Sequence, residues 1–449
     1  MAWERKLMRT VRVRNSQARG VLAQLLTAIS EADGNVGGIE MLTETSQHVV
    51  RDITVYAEDE AHVEKMVEAM RANPGTKVLQ VRDEVLELHQ KGKIAIRSRY
   101  PIDSLATLQR VYTPGVAQVC RKIAADPSMA WTYTSISHMV AIVTDGTAVL
   151  GLGDIGPLAG MPVMEGKAML METLVGLSGV PILLNTRDPE EIIAAVKAIS
   201  PTFAAIQLED ISAPRCFEIE EKLQAALDIP VLHDDQHGTA VVCTAALLVA
   251  TRETGRDLGQ SLIGQIGLGA AGNAIGKMMM RLTGNPVLGA DLSSDAVTRF
   301  EAAGGRGSSL TEIMAQADIV IATTGAAGLI QPEMVRKGQV ILALSNPNAE
   351  IDPAVALARG AAFAADGKSV NNVLGFPGIF RGAVDAHAPR ITHEMLVAAA
   401  ETIASMTPSG ELVLNPLDKK VHHAVARAVA ETAIKQGIAR AEYVPYVED

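Results

Sequence analysis

A glycine-rich turn between a predicted strand and a predicted helix constrains the fold of this 449-residue chain more than any other feature. Residues 261–266 (SLIGQI) read as a short strand, and residues 273–282 read as a helix. The turn between them has the pattern GxGxxG, which lets the phosphates of a dinucleotide approach a helix N-terminus. We therefore predict a Rossmann-type sheet with a dinucleotide site. That site comprises Gly267, Leu268, Gly269, Ala270, Ala271 and Gly272.

An acidic residue at the end of the next predicted strand indicates which dinucleotide binds. Asp291 follows residues 286–290 and lies 19 positions after Gly272. A carboxylate there accepts hydrogen bonds from the ribose hydroxyls and repels a 2′-phosphate. The nearest basic residue downstream is Arg299. The pattern therefore favours NAD over NADP.

The remaining periodicity divides the chain into four predicted segments. The first follows the order βαββαβ, which closes as a four-stranded antiparallel sheet with two helices on one face. The second and third alternate β-branched runs with helical stretches, which is typical of α/β domains with mainly parallel sheets. The last is mainly helical. Their bounds are residues 1–90, 91–254, 255–390 and 391–449.

Composition excludes several classes of function. The net charge is −11, from 40 basic and 51 acidic residues, which argues against nucleic-acid or anionic-membrane partners. The three cysteines are far apart and form no CxxC motif, so we expect neither a disulfide framework nor a zinc site. The first ten residues (MAWERKLMRT) lack the apolar run of a signal peptide. We therefore expect a cytoplasmic enzyme that acts on small molecules.

Acidic residues follow two of the predicted strands of the second segment. Glu209 and Asp210 come after one strand, and Asp234 and Asp235 after another. The carboxyl ends of parallel strands share one edge of a sheet, so these acids should converge and require a cation. Their oxygen donors suit Mg²⁺ or Mn²⁺. The alternative is that Asp234 or Asp235 caps a helix beginning near Gly238.

Seven motifs in one order resemble the malic enzymes of the compact bacterial type. The resemblance extends from about residue 94 to the C-terminus, and it implies oxidative decarboxylation of L-malate to pyruvate and CO₂ with reduction of NAD. The first segment resembles an ACT domain, which implies a small effector; a dimerisation module without a ligand is the alternative. The motifs are YTPGVA (112–117), TDGTAVLGLGDIG (144–156), PVMEGK (162–167), LEDI (208–211), DDQHGTA (234–240), SNP (345–347) and NNVLGFPG (371–378).

The resemblance also implies residue roles. Tyr112 is the expected general acid and Lys167 the general base, with a pKa lowered by burial beside the metal. Asp234 is expected either to support the metal ligands or to relay the proton. The expected metal ligands are Glu209, Asp210 and Asp235. The residues expected to hold malate or lie beside it and the nicotinamide are Leu150, Gly151, Leu152, Asn346 and one of Asn371 and Asn372.

Three points stay open at this stage. Ala148 stands where larger malic enzymes carry an arginine for the substrate carboxylate, so its replacement is unassigned. The resemblance implies a homodimer or homotetramer in which Tyr112 reaches the site of a neighbouring chain. The rival functions are a metal-independent, ACT-regulated 2-hydroxyacid or amino-acid dehydrogenase and a non-catalytic effector-binding protein.

Overall fold

The computed structural model describes residues 7–368, 370, 372–412 and 414–446. The chain forms two compact units, residues 1–95 and 96–449. Among the described residues, no helix combines the length and the apolar character needed to cross a membrane.

The first unit is an antiparallel sheet with helices on one face. Its strands pair in the order β2-β3-β1-β4, and Val11 on β1 lies opposite Ile53 on β3 in the core. The predicted βαββαβ order, typical of ACT-like domains, is confirmed, and a short third helix follows it. The elements are β1 (Leu7–Ser16), α1 (Val21–Glu31), β2 (Asn35–Glu44), β3 (His48–Ala57), α2 (Glu60–Ala72), β4 (Thr76–Arg82) and α3 (Glu84–His89).

The second unit contains two sheets and most of the helices. The strands are β5 (Met139–Thr144), β6 (Ser178–Leu183), β7 (Ala205–Leu208), β8 (Val231–His233), β9 (Ile263–Ile266), β10 (Leu288–Ala290), β11 (Arg306–Gly307), β12 (Ile319–Ala322), β13 (Val340–Ala343) and β14 (Phe363–Asp366). The helices are α4 (Leu105–Val111), α5 (Val116–Ala125), α6 (Met129–Tyr133), α7 (Pro157–Val175), α8 (Pro189–Ile199), α9 (Arg215–Ala226), α10 (Asp234–Thr254), α11 (Ala270–Thr283), α12 (Ser294–Ala302), α13 (Leu310–Gln316), α14 (Pro353–Ala358), α15 (Phe376–Asp385), α16 (His393–Met406) and α17 (Lys419–Lys435).

Both sheets of the second unit are parallel. The smaller has the order β6-β5-β7-β8, and the larger has the order β11-β10-β9-β12-β13-β14. The larger order, counted from β9, is the 3-2-1-4-5-6 arrangement of a Rossmann fold. The predicted α/β class, with a Rossmann-type sheet and C-terminal helices, is therefore confirmed.

The strands of these sheets read as apolar runs because helices cover both faces. Val140, Ala141, Ile142 and Val143 of β5 are completely buried. Parallel sheets require such burial, since their crossover helices pack on the two faces. One consequence matters for function: loops that leave the carboxyl ends of neighbouring strands are held close together by a rigid core.

Candidate active site

Three carboxylates converge at the carboxyl edge of the smaller sheet. Glu209 and Asp210 directly follow β7, and Asp235 lies in the first turn of α10, directly after β8. The two strands are parallel neighbours, with Leu208 opposite His233. One carboxylate oxygen from each acid lies within 4.8 Å of the others. The predicted convergence of these acids is therefore what the sheet produces.

Hydrogen bonds orient the carboxylates of Glu209 and Asp235. Gln207 donates from Nε2 to Oε2 of Glu209 at 2.5 Å, and the backbone N–H of Asp210 donates to Oδ2 of Asp235 at 2.8 Å. Asp210 itself has a φ of +55°, in the left-handed region. Its carbonyl oxygen accepts the N–H of Ala148 at 2.9 Å, which secures this unusual backbone conformation.

The electrostatics of the trio call for a cation. Burial raises the pKa of Glu209, and neighbouring carboxylates add to the effect. Burial, followed by the charge of Asp235, raises the pKa of Asp210 to about 7. Oδ2 of Asp210 is buried and has no hydrogen-bond partner among the described residues. A hard divalent cation fits this set of oxygen donors because it would satisfy that oxygen and offset the repulsion.

Lys167 is a buried cation at the edge of the trio. It projects from α7, is 8% exposed, and places Nζ 3.0 Å from Oε1 of Glu209. The same nitrogen donates to the carboxylate of Asp234 and lies 4.5 Å from the centre of the Phe376 ring. Lys167 is therefore not a solvated lysine at the start of a helix, because it occupies the interior of α7 and is buried.

The acids around Lys167 act on its pKa in the direction opposite to burial. Burial alone lowers the pKa of the ammonium, but the charges of Asp234 and Glu209 raise it by more, so the net direction is upward. The sequence contains both acids, but their distances from Lys167 depend on how α7 packs against the sheet. The sequence alone does not show how α7 packs against the sheet.

Asp234 links the lysine to a second predicted site residue. Its Oδ2 accepts a hydrogen bond from Nδ2 of Asn372 at 2.9 Å as well as the bond from Lys167. A Cβ at Gly238, one turn later, would lie 1.9 Å from Oδ1 of Asp234. The glycine of the DDQHGTA motif is therefore required by the close approach of this carboxylate.

The helix-capping alternative for Asp234 and Asp235 is wrong. Helix α10 begins at Asp234 rather than near Gly238, and its N-cap residue is His233. Both acids therefore lie inside the first helical turn. The positive end of the helix dipole stabilises negative charge there, which partly offsets the cost of burying Asp234.

Other predicted substrate residues lie at more open positions. Leu150 and Leu152 are 74% and 67% exposed, on either side of Gly151 with its φ of +74°. Asn346 donates from Nδ2 to the carbonyl oxygen of Gly367 at 3.3 Å. Asn371 lies outside the described residues.

Tyr112 is not joined to Lys167 by any contact of the described residues. It ends α4, is 66% exposed, and makes backbone hydrogen bonds to Leu108 and Val116. The side chain of Tyr112 is therefore largely exposed within this chain. Within the described chain, the expected general acid and general base are not brought together.

The glycine-rich turn has the shape that a dinucleotide requires. Gly267 has a φ of +88°, and a Cβ there would lie 2.7 Å from the carbonyl oxygen of Thr323. A Cβ at Gly272 would lie 1.9 Å from the carbonyl oxygen of Gly267. A Cβ at Gly269 would meet no atom within 4 Å, so the space in front of α11 is open. The residues between these glycines are Leu268, Ala270 and Ala271.

Asp291 is held at the end of β10 in a fixed orientation. Its Oδ2 accepts the N–H of Leu268 at 2.7 Å, and its Oδ1 accepts the N–H of Ser293 at 2.8 Å. The carboxylate thus connects the glycine-rich turn to the loop after β10. This is the position from which an acid contacts the adenosine ribose in Rossmann folds.

Several site residues were not predicted from the sequence. Gln207 supports Glu209, and Glu220 accepts hydrogen bonds from the backbone N–H of His233 and from Nε2 of Gln236. The sequence could have indicated a role for Gln207, because it is the one polar residue of the otherwise apolar strand AIQL. No feature of the sequence indicates a role for Glu220, since it occupies an ordinary position of an amphipathic helix.

The fold and site together define a class of protein. A Rossmann-type sheet with a shaped glycine-rich turn, and a second parallel sheet with buried carboxylates around a lysine, are features of dinucleotide-dependent oxidoreductases.

Comparisons with known proteins place the chain within that class. The family descriptions "Malic enzyme, N-terminal domain" and "Malic enzyme, NAD binding domain" match residues 91–224 and 291–436. NAD-dependent malic enzyme 1 of Bacillus subtilis is 56% identical over 430 residues, which are 95% of this chain and 98% of that protein. The bifunctional malic/malolactic enzyme of the same organism is 41% identical over 81% of this chain and 95% of its own length. The chain belongs to the malic enzyme family.

Solved structures agree with this assignment. The crystal structure of malic enzyme from Pyrococcus horikoshii has a TM-score of 0.77 and 39% identity, covering 80% of this chain and 92% of that one. The NAD-dependent malic enzyme of Thermotoga maritima has a TM-score of 0.73 and 39% identity, covering 77% and 98%.

Proposed function

We propose that this chain catalyses the NAD-dependent oxidative decarboxylation of L-malate to pyruvate and CO₂. The observation that carries the proposal is the position of Lys167. Its Nζ lies among the carboxylates of Glu209 and Asp234, at the edge of a trio of acids with the geometry of a cation site. Oxidation of a 2-hydroxy acid requires a base at this kind of position.

Glu209, Asp210 and Asp235 would hold Mg²⁺ or Mn²⁺. Bound there, the ion would polarise the C2 oxygen of malate, stabilise the charge left when CO₂ departs, and offset the carboxylates that raise the pKa of Lys167. The unpartnered Oδ2 of Asp210 supports this assignment. The oxygen donors do not distinguish between the two metals.

Lys167 would take the proton of the C2 hydroxyl as the hydride leaves. Its hydrogen bond to Asp234 orients Nζ and offers a path along which the proton can leave. Asn372, which also binds Asp234, and Asn346 would donate hydrogen bonds to the carboxylates of malate. These amides take on the task that an arginine at position 148 would otherwise perform.

NAD would bind at the glycine-rich turn and accept the hydride. The open space at Gly269 would admit the pyrophosphate, and the residues at this turn are Gly267, Leu268, Ala270, Ala271 and Gly272. Asp291, which is held by the N–H of Leu268, would accept hydrogen bonds from the ribose hydroxyls and would disfavour the 2′-phosphate of NADP. The loop with Leu150, Gly151 and Leu152 would lie beside the substrate and the nicotinamide.

Tyr112 would protonate the enolate product in the site of a second copy of this chain. Its exposure supports this, because helices α4 and α5 bury none of their residues within the chain. A set of large apolar side chains that are exposed close together in sequence is typical of protein interfaces. They include Ile96, Tyr100, Ile102, Leu105, Leu108 and Val111.

Mixing two inactive variants tests this arrangement. Tyr112→Phe and Lys167→Ala chains, unfolded together and refolded, should regain about a quarter of the native activity, because half of the dimers are mixed and each has one intact site. A mixture that stays inactive while forming mixed dimers would place Tyr112 and Lys167 in the same chain's site.

We also propose that residues 1–90 regulate the enzyme by binding a small effector, while residues 91–254, 255–390 and 391–449 form the substrate domain, the NAD domain and a helical extension. The ACT-like βαββαβ arrangement supports the first assignment. A chain lacking residues 1–90 should keep its turnover and lose its response to effectors. A truncated chain with an unchanged response would contradict the regulatory role.

A direct assay tests the activity. NADH absorbance and pyruvate should both rise with L-malate and Mn²⁺, fall to background with EDTA, and rise less with NADP. Activity that survives EDTA would support a metal-independent dehydrogenase. Reduction of NAD without release of CO₂ would also contradict the proposal. Cell fractionation would test the predicted cytoplasmic location and the absence of a membrane or nucleic-acid partner.

A further inference from the structure

A buried glutamate at the carboxyl edge of the larger sheet is not used by the proposed mechanism. Glu350 follows β13 and the SNP motif, and it has no exposed surface. Burying a carboxylate is costly unless hydrogen bonds satisfy it. The partners of this carboxylate therefore indicate what it is for.

Its hydrogen bonds come from two different loops. From the loop after β12, Thr324 donates its backbone N–H at 2.7 Å and its hydroxyl at 2.8 Å to Oε1 of Glu350. From the loop after β13, Ser345 donates its backbone N–H to Oε2 at 3.2 Å and its hydroxyl to Oε1. The hydroxyl oxygen of Ser345 also accepts the N–H of Gly325 at 2.7 Å. One carboxylate thus ties the two loops together.

Each of these loops leads to a predicted binding residue. Thr323 precedes Thr324 and packs on the glycine-rich turn, where its hydroxyl donates to the carbonyl oxygen of Gly267 at 3.3 Å. Asn346 follows Ser345 directly, and it is a predicted ligand of malate. Glu350 therefore lies at the middle of a chain of contacts that runs from the dinucleotide turn to the substrate amide.

We propose that Glu350 is a positioning residue that fixes Asn346 relative to the dinucleotide turn, so that malate and the coenzyme meet in a reactive geometry. The inference rests on the proposed function through the role of Asn346. Glu350 touches neither substrate nor coenzyme. Misplacing a substrate ligand by a small distance is enough to slow a reaction strongly.

The test is a double-mutant cycle on the full-length enzyme. An amide accepts hydrogen bonds through one oxygen only, so Glu350→Gln loses either the bond from the backbone N–H of Ser345 or the three bonds that Oε1 accepts from Thr324 and Ser345. Glu350→Gln should lower kcat/KM for malate about tenfold. In the Asn346→Ser background, the same substitution should have almost no further effect, because the residue through which Glu350 acts is already lost.

A matched control separates this role from a general effect on folding. Asp318 accepts the N–H of Leu262 at 3.1 Å at the opposite, amino edge of the same sheet. Asp318→Asn should lower the melting temperature without changing kcat/KM. Its effects should add to those of Asn346→Ser.

Two outcomes would overturn the inference. One is a cycle in which Glu350→Gln and Asn346→Ser multiply their losses, because that shows independent roles. If Glu350→Gln does not fold, Thr324→Val removes one donor and leaves the carboxylate; it should cost about threefold, and only in the presence of Asn346. The second outcome that would overturn the inference is a Thr324→Val enzyme whose kcat/KM for malate is unchanged. Wild-type enzyme that makes no pyruvate from malate would instead refute the proposed function.

Discussion

The two parallel sheets of the second unit each form a candidate binding site at their carboxyl edge, and the two sites are built differently. At the larger sheet, the glycine-rich turn makes space by removing side chains, and a Cβ at Gly269 would meet no atom within 4 Å. At the smaller sheet, four acids and Lys167 are packed together, and most of them are buried. Binding at the larger sheet therefore depends on open space, and binding at the smaller sheet depends on charge. Substitutions should therefore have different consequences at the two edges.

The largest expected effect is at the charged edge. Lys167→Ala should lower kcat for malate oxidation by about three orders of magnitude, because the proposed base is lost. The dissociation constant for NAD, measured by fluorescence titration, should change little. Lys222→Ala is the control, since this exposed lysine pairs with Glu190 and Glu218 on the surface. A Lys167→Ala enzyme with substantial turnover would show that Lys167 is not the base.

Two glycine substitutions should sharpen the comparison at the other edge. Gly269→Ala meets no neighbouring atom, so the protein should fold normally, yet the dissociation constant for NAD should rise about tenfold as the methyl group intrudes on the phosphates. Gly272→Ala should instead lower the melting temperature, because its Cβ would lie 1.9 Å from the carbonyl oxygen of Gly267. Similar melting temperatures for the two variants would contradict this assignment.

The smallest expected effect is a change of stability with pH at the charged edge. Burial raises the pKa of Glu209 and of Asp234, and burial with the charge of Asp235 raises that of Asp210 to about 7. The folded chain therefore binds protons that the unfolded chain has released, and without metal its stability should fall as pH rises from about 4 to about 7. In EDTA, the melting temperature should drop by several degrees over this range.

Two controls accompany this measurement. Asp210→Asn should reduce the dependence on pH, since it removes one of the titrating groups. Mn²⁺ should restore stability most strongly at the upper end of the range, where the carboxylates are ionised. A melting temperature in EDTA that rises steadily with pH would contradict the account.

The two edges also differ in how far they could be predicted. The glycine-rich turn and Asp291 are close in sequence, and a strand, turn and helix in order are enough to identify them. Predicting the carboxylate trio required the ends of two separate strands, and the convergence of these ends followed from the parallel sheet. The βαββαβ order of the first unit followed from local periodicity alone.

What could not be predicted depends on packing between distant elements. The burial of Lys167 against Asp234 follows from how α7 lies on the sheet. Glu220 and Glu350 are ordinary acidic residues in sequence, and only the folded chain shows that each is buried and bridges separate segments. The start of α10 at Asp234 was likewise hidden, because the preceding residues look like a strand end.

Binding of Mn²⁺ to the carboxylate trio tests the central claim most directly. Titration followed by electron paramagnetic resonance should show one tight site per chain in the wild type. In Asp235→Asn that site and the oxidation of malate should both be lost, while NAD still binds. An Asp235→Asn protein that binds Mn²⁺ as tightly as the wild type would contradict the claim that these three acids form the metal site.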